Sequence, residues 1–318
     1  MSLASPSSSV PAGTPAPIGR LGFVGLGAMG LPMAQHLLAH PGGLRVWNRD
    51  PAKADSLIAA GATLAASPSD TAEPGGVVFS MVADDAALRA VSTGPAGLVG
   101  RLGAGGIHVS CSTVSPDTLR DLARQHAEHG EHLLACPVFG RPDAAAAKRL
   151  WVLMAGPAEA CARVEPLLSL IGQGVQALGQ DHAAAAALKL AGNFMILAAV
   201  ESIGEAMLMA EQHGVARTDF ATFFGRTLFA CPIYQNYGMQ VAQRRYQPAG
   251  FRLRLGLKDM NLVSQAAAQV QVPMPLVDLL RQGLTGAMAK GRGEFDWTGL
   301  ELGIAEAAGQ HPTIPTQT

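Results

Sequence analysis

The sequence predicts an α/β protein in which a doubly wound parallel sheet is followed by an all-helical domain, with a long interdomain helix between them. From Gly19 to about Gly179, short apolar runs alternate with amphipathic helical patterns. A nearly uninterrupted helical pattern then covers 181–214, and strand-like alternation is absent beyond it. Apolar strands that alternate with helices are typical of a parallel sheet covered on both faces.

The first half of the chain contains apolar runs of strand length, separated by helical patterns. The predicted strands are Leu21–Val24, Leu44–Trp47, Val77–Met81, Ile107–Ser110, Leu133–Val138, Trp151–Met154 and Val175–Leu178. The predicted helices between them include Pro116–His129, Pro142–Leu150 and Pro157–Leu170. The alternation predicts one α/β domain at residues 19–180.

The second half is predicted to be helical. Asp181 can cap the long helix 181–213, and Gly214 is suited to end it. Shorter helices are expected at Thr218–Thr227, Pro232–Arg244, Leu257–Gln269 and Met274–Lys290. We expect a helical domain at 181–310, a disordered Ser/Pro/Ala-rich arm at 1–18 and a loose tail at 311–318.

The overall composition argues against several classes of protein. Because the formal net charge is only −1, no global field attracts nucleic acid or an anionic membrane. The four cysteines are far apart and the histidines are scattered, so neither a metal site nor a disulfide framework is expected. Because no disulfide framework is expected, we expect a cytoplasmic location. The longest apolar stretch, 183–210, is interrupted by charged and polar residues, which argues against a membrane span.

A glycine-rich motif follows the first predicted strand. Gly25, Gly27 and Gly30 form G-x-G-x-x-G, with Leu26, Ala28 and Met29 between them. In this pattern the first glycine permits a tight turn, the second lets the backbone approach a pyrophosphate, and the third allows close packing of helix on strand. Since a strand precedes the motif and a helical pattern follows it, we expect a Rossmann-type site for a dinucleotide.

The end of the second strand bears on the choice of cofactor. An acidic residue at this point would bind the ribose 2′-hydroxyl of NAD, whereas an arginine accommodates the 2′-phosphate of NADP. Asn48 and Arg49 occupy the position, which favours NADPH over NADH, although Arg49 could also be an exposed arginine without a ligand. Asp50 comes one residue later and is expected to cap the helix that begins at Pro51.

Lys189 and Asn193 lie four residues apart in the long helix, so both are on one face. Their neighbours are almost all Ala, Leu, Met and Ile. Burial of an ammonium group lowers its pKa, and such a lysine can exchange a proton with an alkoxide near neutral pH. The alternative is a lysine whose side chain extends to the surface.

With these motifs the chain resembles the β-hydroxyacid dehydrogenase family, which includes 3-hydroxyisobutyrate dehydrogenases, tartronate semialdehyde reductases and glyoxylate/succinic semialdehyde reductases. The resemblance runs from about Gly19 to Ala308. The matching elements, in chain order, are GFVGLGAMGLPMAQHL, the loop Ser110-Cys111-Ser112-Thr113-Val114-Ser115-Pro116, Lys189-x-x-x-Asn193, and Phe251 followed by Lys258-Asp259.

The resemblance implies a role for each matching residue. Lys189 would be the catalytic acid/base, and Asn193 would bind the reacting oxygen or a carboxylate of the substrate. Lys258 would reach the cofactor from the helical domain, while Thr113 and the backbone of Val82 and Ala83 would contact the nicotinamide half. Ser112, Val138, Gly140 and Phe251 would line the substrate site. The family also implies a homodimer or homotetramer packed through the helical domains.

One loop departs from the family pattern. The family's D-A-P-V-S-G-G corresponds here to Ala135-Cys136-Pro137-Val138-Phe139-Gly140-Arg141, so Phe139 replaces a carboxylate-binding serine and Arg141 replaces a glycine. Arg141 either restores the carboxylate contact or faces solvent. A larger or less polar carbonyl substrate is therefore possible. An imine reductase of the same architecture and a non-catalytic NADPH-binding protein are the alternatives to a small-carbonyl reductase.

Overall fold

The computed structural model describes residues 18–314. The expected arm therefore lies outside the described residues except for Ile18, and so does the end of the tail, 315–318. Within the described range the chain changes from strands and helices to helices alone after residue 177, close to the expected junction at 180 and 181.

The first sheet has six strands, all parallel, in the order β3-β2-β1-β4-β5-β6. The strands are β1 (Leu21–Val24), β2 (Leu44–Trp47), β3 (Thr63–Leu64), β4 (Val77–Ser80), β5 (Ile107–Ser110) and β6 (His132–Ala135). The winding direction reverses between β1 and β4, and ligands of such sheets bind at the carboxyl ends of the strands beside this point. The predicted doubly wound sheet is confirmed.

A second, three-stranded sheet was not predicted. It consists of β7 (Val138–Phe139), β8 (Leu150–Met154) and β9 (Gly172–Ala177), and β7 is antiparallel to β8. The single strand expected at Leu133–Val138 is wrong: the chain leaves the first sheet after β6 and joins the second sheet at β7. Pro137 lies at the break, and because proline has no N–H it cannot continue a ladder.

Six helices accompany the sheets. They are α1 (Gly30–Leu37), α2 (Asp55–Ala59), α3 (Asp85–Thr93), α4 (Pro116–Ala127), α5 (Pro142–Ala146) and α6 (Ala158–Leu168). Ser115 caps α4 through the Thr118 amide, and Pro116 occupies its first turn. The helix expected at Pro142–Leu150 ends already at Ala146, because Lys148 adopts a left-handed conformation and Leu150 begins β8.

The rest of the described chain is helical, as predicted. Its helices are α7 (His182–Gln212), α8 (Arg217–Arg226), α9 (Pro232–Ala242), α10 (Leu253–Gln269), α11 (Pro275–Ala289) and α12 (Glu301–Ala307). Asp181 accepts a hydrogen bond from the Ala183 amide and Gly214 has φ +87°, so the predicted cap and stop of α7 are both confirmed. The helix α10 begins one turn earlier than predicted.

The helix α7 belongs to two hydrophobic cores. Ala185 and Ala186 pack in the core on one face of the first sheet, whereas Leu197 and Val200 belong to the core of the helical part. Among the described residues, α7 is the one helix long and apolar enough to cross a membrane by length and composition. Burial against two cores accounts for that apolarity, since a helix buried on most sides has no extended polar face.

Candidate active site

The glycine loop has the geometry of a dinucleotide site. A Cβ on Gly30 would lie 1.9 Å from the Gly25 carbonyl oxygen, and Gly25 itself has φ +97°. A Cβ on Gly27, in contrast, would meet no atom within 4 Å, and Gly27 and Ala28 are both exposed. The loop therefore presents open backbone at the start of α1, where a helix N-terminus favours a phosphate. The described residues fit a nicotinamide dinucleotide.

Asn48 organises this loop. The Leu26 amide donates a hydrogen bond to Asn48 Oδ1 (2.9 Å), and Asn48 Nδ2 donates to the Asp50 carbonyl (2.8 Å). The Leu26 amide is thus already bonded, which leaves the exposed amides of the loop to a phosphate. Arg49 is exposed and makes no ion pair with the described residues. Asp50 accepts from the Ala52 amide and caps the turn that begins at Pro51, as predicted.

The loops after β4 and β5 contact each other at the carboxyl edge of the sheet. The Val82 amide donates to Ser112 Oγ (2.9 Å), which is buried. Ala83 is exposed, and Thr113 is half-buried with its carbonyl in contact with α10. Ser112, which was expected to contact the substrate, therefore supports the loop that contains Val82 and Ala83.

A hydrogen-bonded series connects α7 to α10 and to the loop after β5. Lys189 Nζ donates to Asn193 Oδ1 (2.9 Å), and Asn193 Nδ2 donates to Asp259 Oδ2 (2.6 Å). The Lys258 ammonium lies 2.7 Å from Asp259 Oδ1 and donates to the Thr113 carbonyl (2.6 Å). The series orients the Asn193 amide, because each of its two polar atoms has a defined partner.

The environment of Lys189 favours its neutral form. Lys189 is buried, which excludes the alternative of a side chain that extends to the surface. Burial lowers the pKa of Lys189 to about 8; the carboxylate of Asp259 opposes this effect, and the ammonium of Lys258 adds to it. A group that titrates near neutral pH is suited to proton transfer in both directions.

Phe139 lies directly against this lysine. The Lys189 ammonium is 4.1 Å from the centre of the Phe139 ring. The ring also lies over Gly192, where a Cβ would come within 2.4 Å of Phe139 Cζ. Val138 is buried in β7, and Gly140 is exposed with φ +137°. The substituted loop therefore reaches the face of α7 that carries Lys189.

Arg141 is paired within the protein rather than free in solvent, with 28% of its side chain exposed. Its Nη2 donates to Asp296 Oδ2 (2.7 Å), and Asp296 is completely buried. The same oxygen accepts from the amides of Gly250 and Phe251, at 2.9 and 3.1 Å. The guanidinium also lies 5.3 Å from the centre of the Tyr237 ring. Arg141 thus connects the loop after β7 to the helical part of the chain, beside Phe251.

The structure separates the predicted residues into two groups. The glycine loop follows β1, and Asn48 and Arg49 follow β2. In the second group, Asp259 contacts both Asn193 and Lys258. Lys189 contacts Asn193 and Phe139, while Arg141 and the Phe251 amide share Asp296. Sequence reasoning gave no role to Asp259 or Asp296. Their buried carboxylates orient Asn193 and Arg141. The Lys258-Asp259 pair in the sequence was a signal for Asp259, and Asp296 had no such signal.

Two family models match the chain. The NAD-binding domain of 6-phosphogluconate dehydrogenase matches residues 20–179, and the NAD-binding domain of NADP-dependent 3-hydroxyisobutyrate dehydrogenase matches 183–300. The chain is 39% identical to the oxidoreductase YfjR of Bacillus subtilis over 88% of its own length and 98% of that protein. It is 30% identical to 3-hydroxyisobutyrate dehydrogenase of Pseudomonas aeruginosa, over 82% and 89% of the two chains.

Solved structures with the same fold include two distinct activities. The 3-hydroxyisobutyrate dehydrogenase of Mycobacterium tuberculosis superposes with a TM-score of 0.80 over 90% of this chain and 99% of that one, at 23% identity. A reductive aminase from Aspergillus terreus, in complex with NADPH and ethyl levulinate, superposes with a TM-score of 0.60 at 27% identity, over 89% and 98%. The first likeness supports the fold alone.

Together the fold, the site and these relatives define an NAD(P)-binding oxidoreductase that acts on CH–OH groups. The chain belongs to the β-hydroxyacid dehydrogenase family, as the resemblance of its motifs predicted.

Proposed function

We propose that this protein is an NADPH-dependent reductase that interconverts a small aldehyde, semialdehyde or keto compound and its alcohol, with Lys189 as the acid/base. The observation that carries the proposal is the buried Lys189 ammonium, which has a lowered pKa and a hydrogen bond to Asn193. A buried lysine without an ion pair to its own ammonium is costly, and such groups are concentrated at functional sites.

Bound NADPH would supply the hydride to the carbonyl carbon. The Lys189 ammonium donates one N–H to Asn193, which leaves N–H groups for the carbonyl oxygen of the substrate. It protonates that oxygen as negative charge develops on it, and in the reverse direction the neutral amine accepts the proton from the alcohol. Asn193 Nδ2 has a second hydrogen beside the one given to Asp259, and this hydrogen binds the same oxygen or a carboxylate.

We infer a substrate with an apolar or aromatic substituent. Phe139 offers no hydrogen bond where a serine would meet a carboxylate, and Arg141 is engaged by Asp296. Loss of one polar contact changes the discrimination between substrates with and without a carboxylate by about 1–3 kcal/mol. The reductive aminase similarity keeps imine reduction as a second candidate, because an imine needs no carboxylate contact. The intact lysine and asparagine favour the alcohol–carbonyl reaction over imine reduction and over a non-catalytic role.

The test is a panel of short semialdehydes, aryl or alkyl aldehydes, keto acids and cyclic imines, assayed with NADPH. We expect the best activity on aldehydes with apolar substituents. Lys189→Met should lower kcat by at least about 100-fold, the usual contribution of a positioned acid, while NADPH affinity stays unchanged. Lys148→Met, an exposed lysine on the α5–β8 connection, is the matched control. Normal turnover by Lys189→Met would assign the proton transfer to another group.

We propose that Arg49 selects NADPH. It is exposed beside the glycine loop and makes no ion pair with the described residues, so its guanidinium is accessible to a 2′-phosphate. NADPH should bind more tightly than NADH by about 1–3 kcal/mol, and Arg49→Ala should remove most of this difference. Calorimetry with both cofactors measures it, and Arg101→Ala, also exposed, is the control. Equal affinities in the unmodified protein would contradict the proposal.

A further inference from the structure

The contact between Phe139 and Lys189 has features of a built arrangement. The ammonium lies 4.1 Å from the ring centre, within the range of a cation–π interaction. The ring reaches this position because residue 192 on α7 has no side chain: a Cβ there would lie 2.4 Å from Cζ and 2.6 Å from Cε1 of Phe139. Gly192 is in the interior of a long helix, where glycine is otherwise unfavourable.

The ring acts on the charged form of the lysine. Its face attracts an ammonium and does not attract a neutral amine, so the contact favours protonation. The effect is largest where water is excluded, and Lys189 is buried. The other charged groups that act on Lys189 are Asp259 and Lys258 of α10. Arg141, two residues after Phe139, is paired with Asp296, and Arg120 of α4 is paired with Asp181 at the start of α7.

We propose that Phe139, seated on Gly192, is a positioning residue that orients the Lys189 ammonium by a cation–π contact and sets the pH range in which this lysine can donate a proton. The proposal rests on the proposed role of Lys189 as the acid. Asn193 takes one N–H and the ring face lies beside another, so the remaining N–H is directed to the substrate oxygen. Phe139 and Gly192 therefore act as a matched pair.

The test measures the pKa of Lys189 directly. The chain has five lysines, so a protein labelled with ¹³C at lysine Cε gives five signals, and Lys189→Met identifies the one from Lys189. Phe139→Leu keeps an apolar side chain but removes the ring face. We expect it to lower the pKa of Lys189 by about one unit, the size of a desolvated cation–π contact. Phe139→Tyr restores the face and should leave the pKa within about 0.3 units of the original.

Gly192→Ala provides an independent variant, since alanine favours the helix. Its Cβ should displace the ring and lower the pKa in the presence of Phe139, yet change nothing when Phe139→Leu is already present. This non-additivity distinguishes displacement of the ring from a local effect on α7. An unchanged or raised pKa in both Phe139→Leu and Gly192→Ala overturns the proposal.

The pH dependence of kcat separates this inference from the proposed function. If Lys189 is the acid, the midpoint of the rate profile moves with the lysine pKa in each variant, and both proposals stand. A lysine pKa that moves while the rate profile does not would support the Phe139 contact and reject Lys189 as the acid. A lysine pKa and a rate profile that both stay unchanged would reject the contact alone, whereas a rate profile that moves without the lysine pKa would reject both proposals, because another group then titrates.

Discussion

Lys189 shows how one residue acquires its chemistry from its position. Of the five lysines, all within the described residues, only Lys189 is buried. A carboxylate and an ammonium from α10 act on it with opposite signs, while burial has the largest effect and lowers its pKa. The same side chain on a helix surface would remain charged throughout the physiological range.

The lowered pKa predicts opposite pH profiles for the two directions of the reaction. With Lys189 as the proposed acid, reduction requires its ammonium, so the rate should fall as pH rises through about 8. With Lys189 as the proposed base, oxidation of the alcohol requires its neutral amine, so the rate should rise through the same pH. Steady-state kcat in both directions, measured with saturating cofactor, checks this. Two profiles that change in the same direction would show that another group titrates.

The three glycines of the loop between β1 and α1 have different steric constraints. Gly30 packs against the Gly25 carbonyl and Gly27 faces open space. The motif by itself does not distinguish the two, but the distances show that Gly30 is required by the packing of the fold and that Gly27 is not.

Two alanine substitutions should therefore have different effects. Gly27→Ala should leave the midpoint of thermal unfolding nearly unchanged and weaken NADPH binding at least tenfold, because its Cβ meets only the space that a pyrophosphate needs. Gly30→Ala should destabilise the protein by about 1–3 kcal/mol, because its Cβ would overlap the Gly25 carbonyl. Calorimetric melting and cofactor titration separate them. Equal melting points for the two variants would contradict this division of roles.

At the scale of the whole molecule, a buried polar chain crosses the nucleotide-binding half. His108 Nε2 lies 2.8 Å from Ser80 Oγ, and His108 Nδ1 lies 3.0 Å from His126 Nε2. His126 Nδ1 lies 2.7 Å from Glu131, whose carboxylate also accepts from the Gly100, Leu102 and Gly103 amides. These buried polar side chains connect β4, β5 and α4 to the loop before β5.

This buried polar chain of Ser80, His108, His126 and Glu131 makes the free energy of unfolding depend on pH. Burial and the neighbouring His126 hold the pKa of His108 well below its usual value of 6.5. Below about pH 6.5 the unfolded state therefore binds a proton that the folded state does not, and stability falls as pH decreases, by up to about 1.4 kcal/mol per pH unit. Urea unfolding between about pH 5 and 7 should show this slope, and His108→Gln should reduce it. His213→Gln, an exposed histidine, should retain it; equal slopes in all three proteins would contradict the assignment.

Association between copies of this protein stays a prediction. Exposed apolar side chains lie on α7 and near α8, among them Met195, Met209, Phe223 and Leu228. Exposed apolar patches of this kind mark interfaces. A dimer or tetramer by light scattering at micromolar concentration is the expected outcome.

The amino-acid sequence was enough to predict the glycine loop, the alternating elements of the doubly wound sheet, the long helix with its cap and stop, and the spacing of Lys189 and Asn193. These features depend on local signals: apolar periodicity, capping residues and residues that share one helix face. Three features became visible only in the folded molecule: Leu133–Val138 divides between two sheets, Arg141 pairs with Asp296, and Phe139 lies on Gly192 against the lysine. Each of these depends on a partner distant in the chain: 155 residues separate Arg141 from Asp296. No local pattern encodes such a contact, because its energy exists only once the elements have packed and water has been excluded.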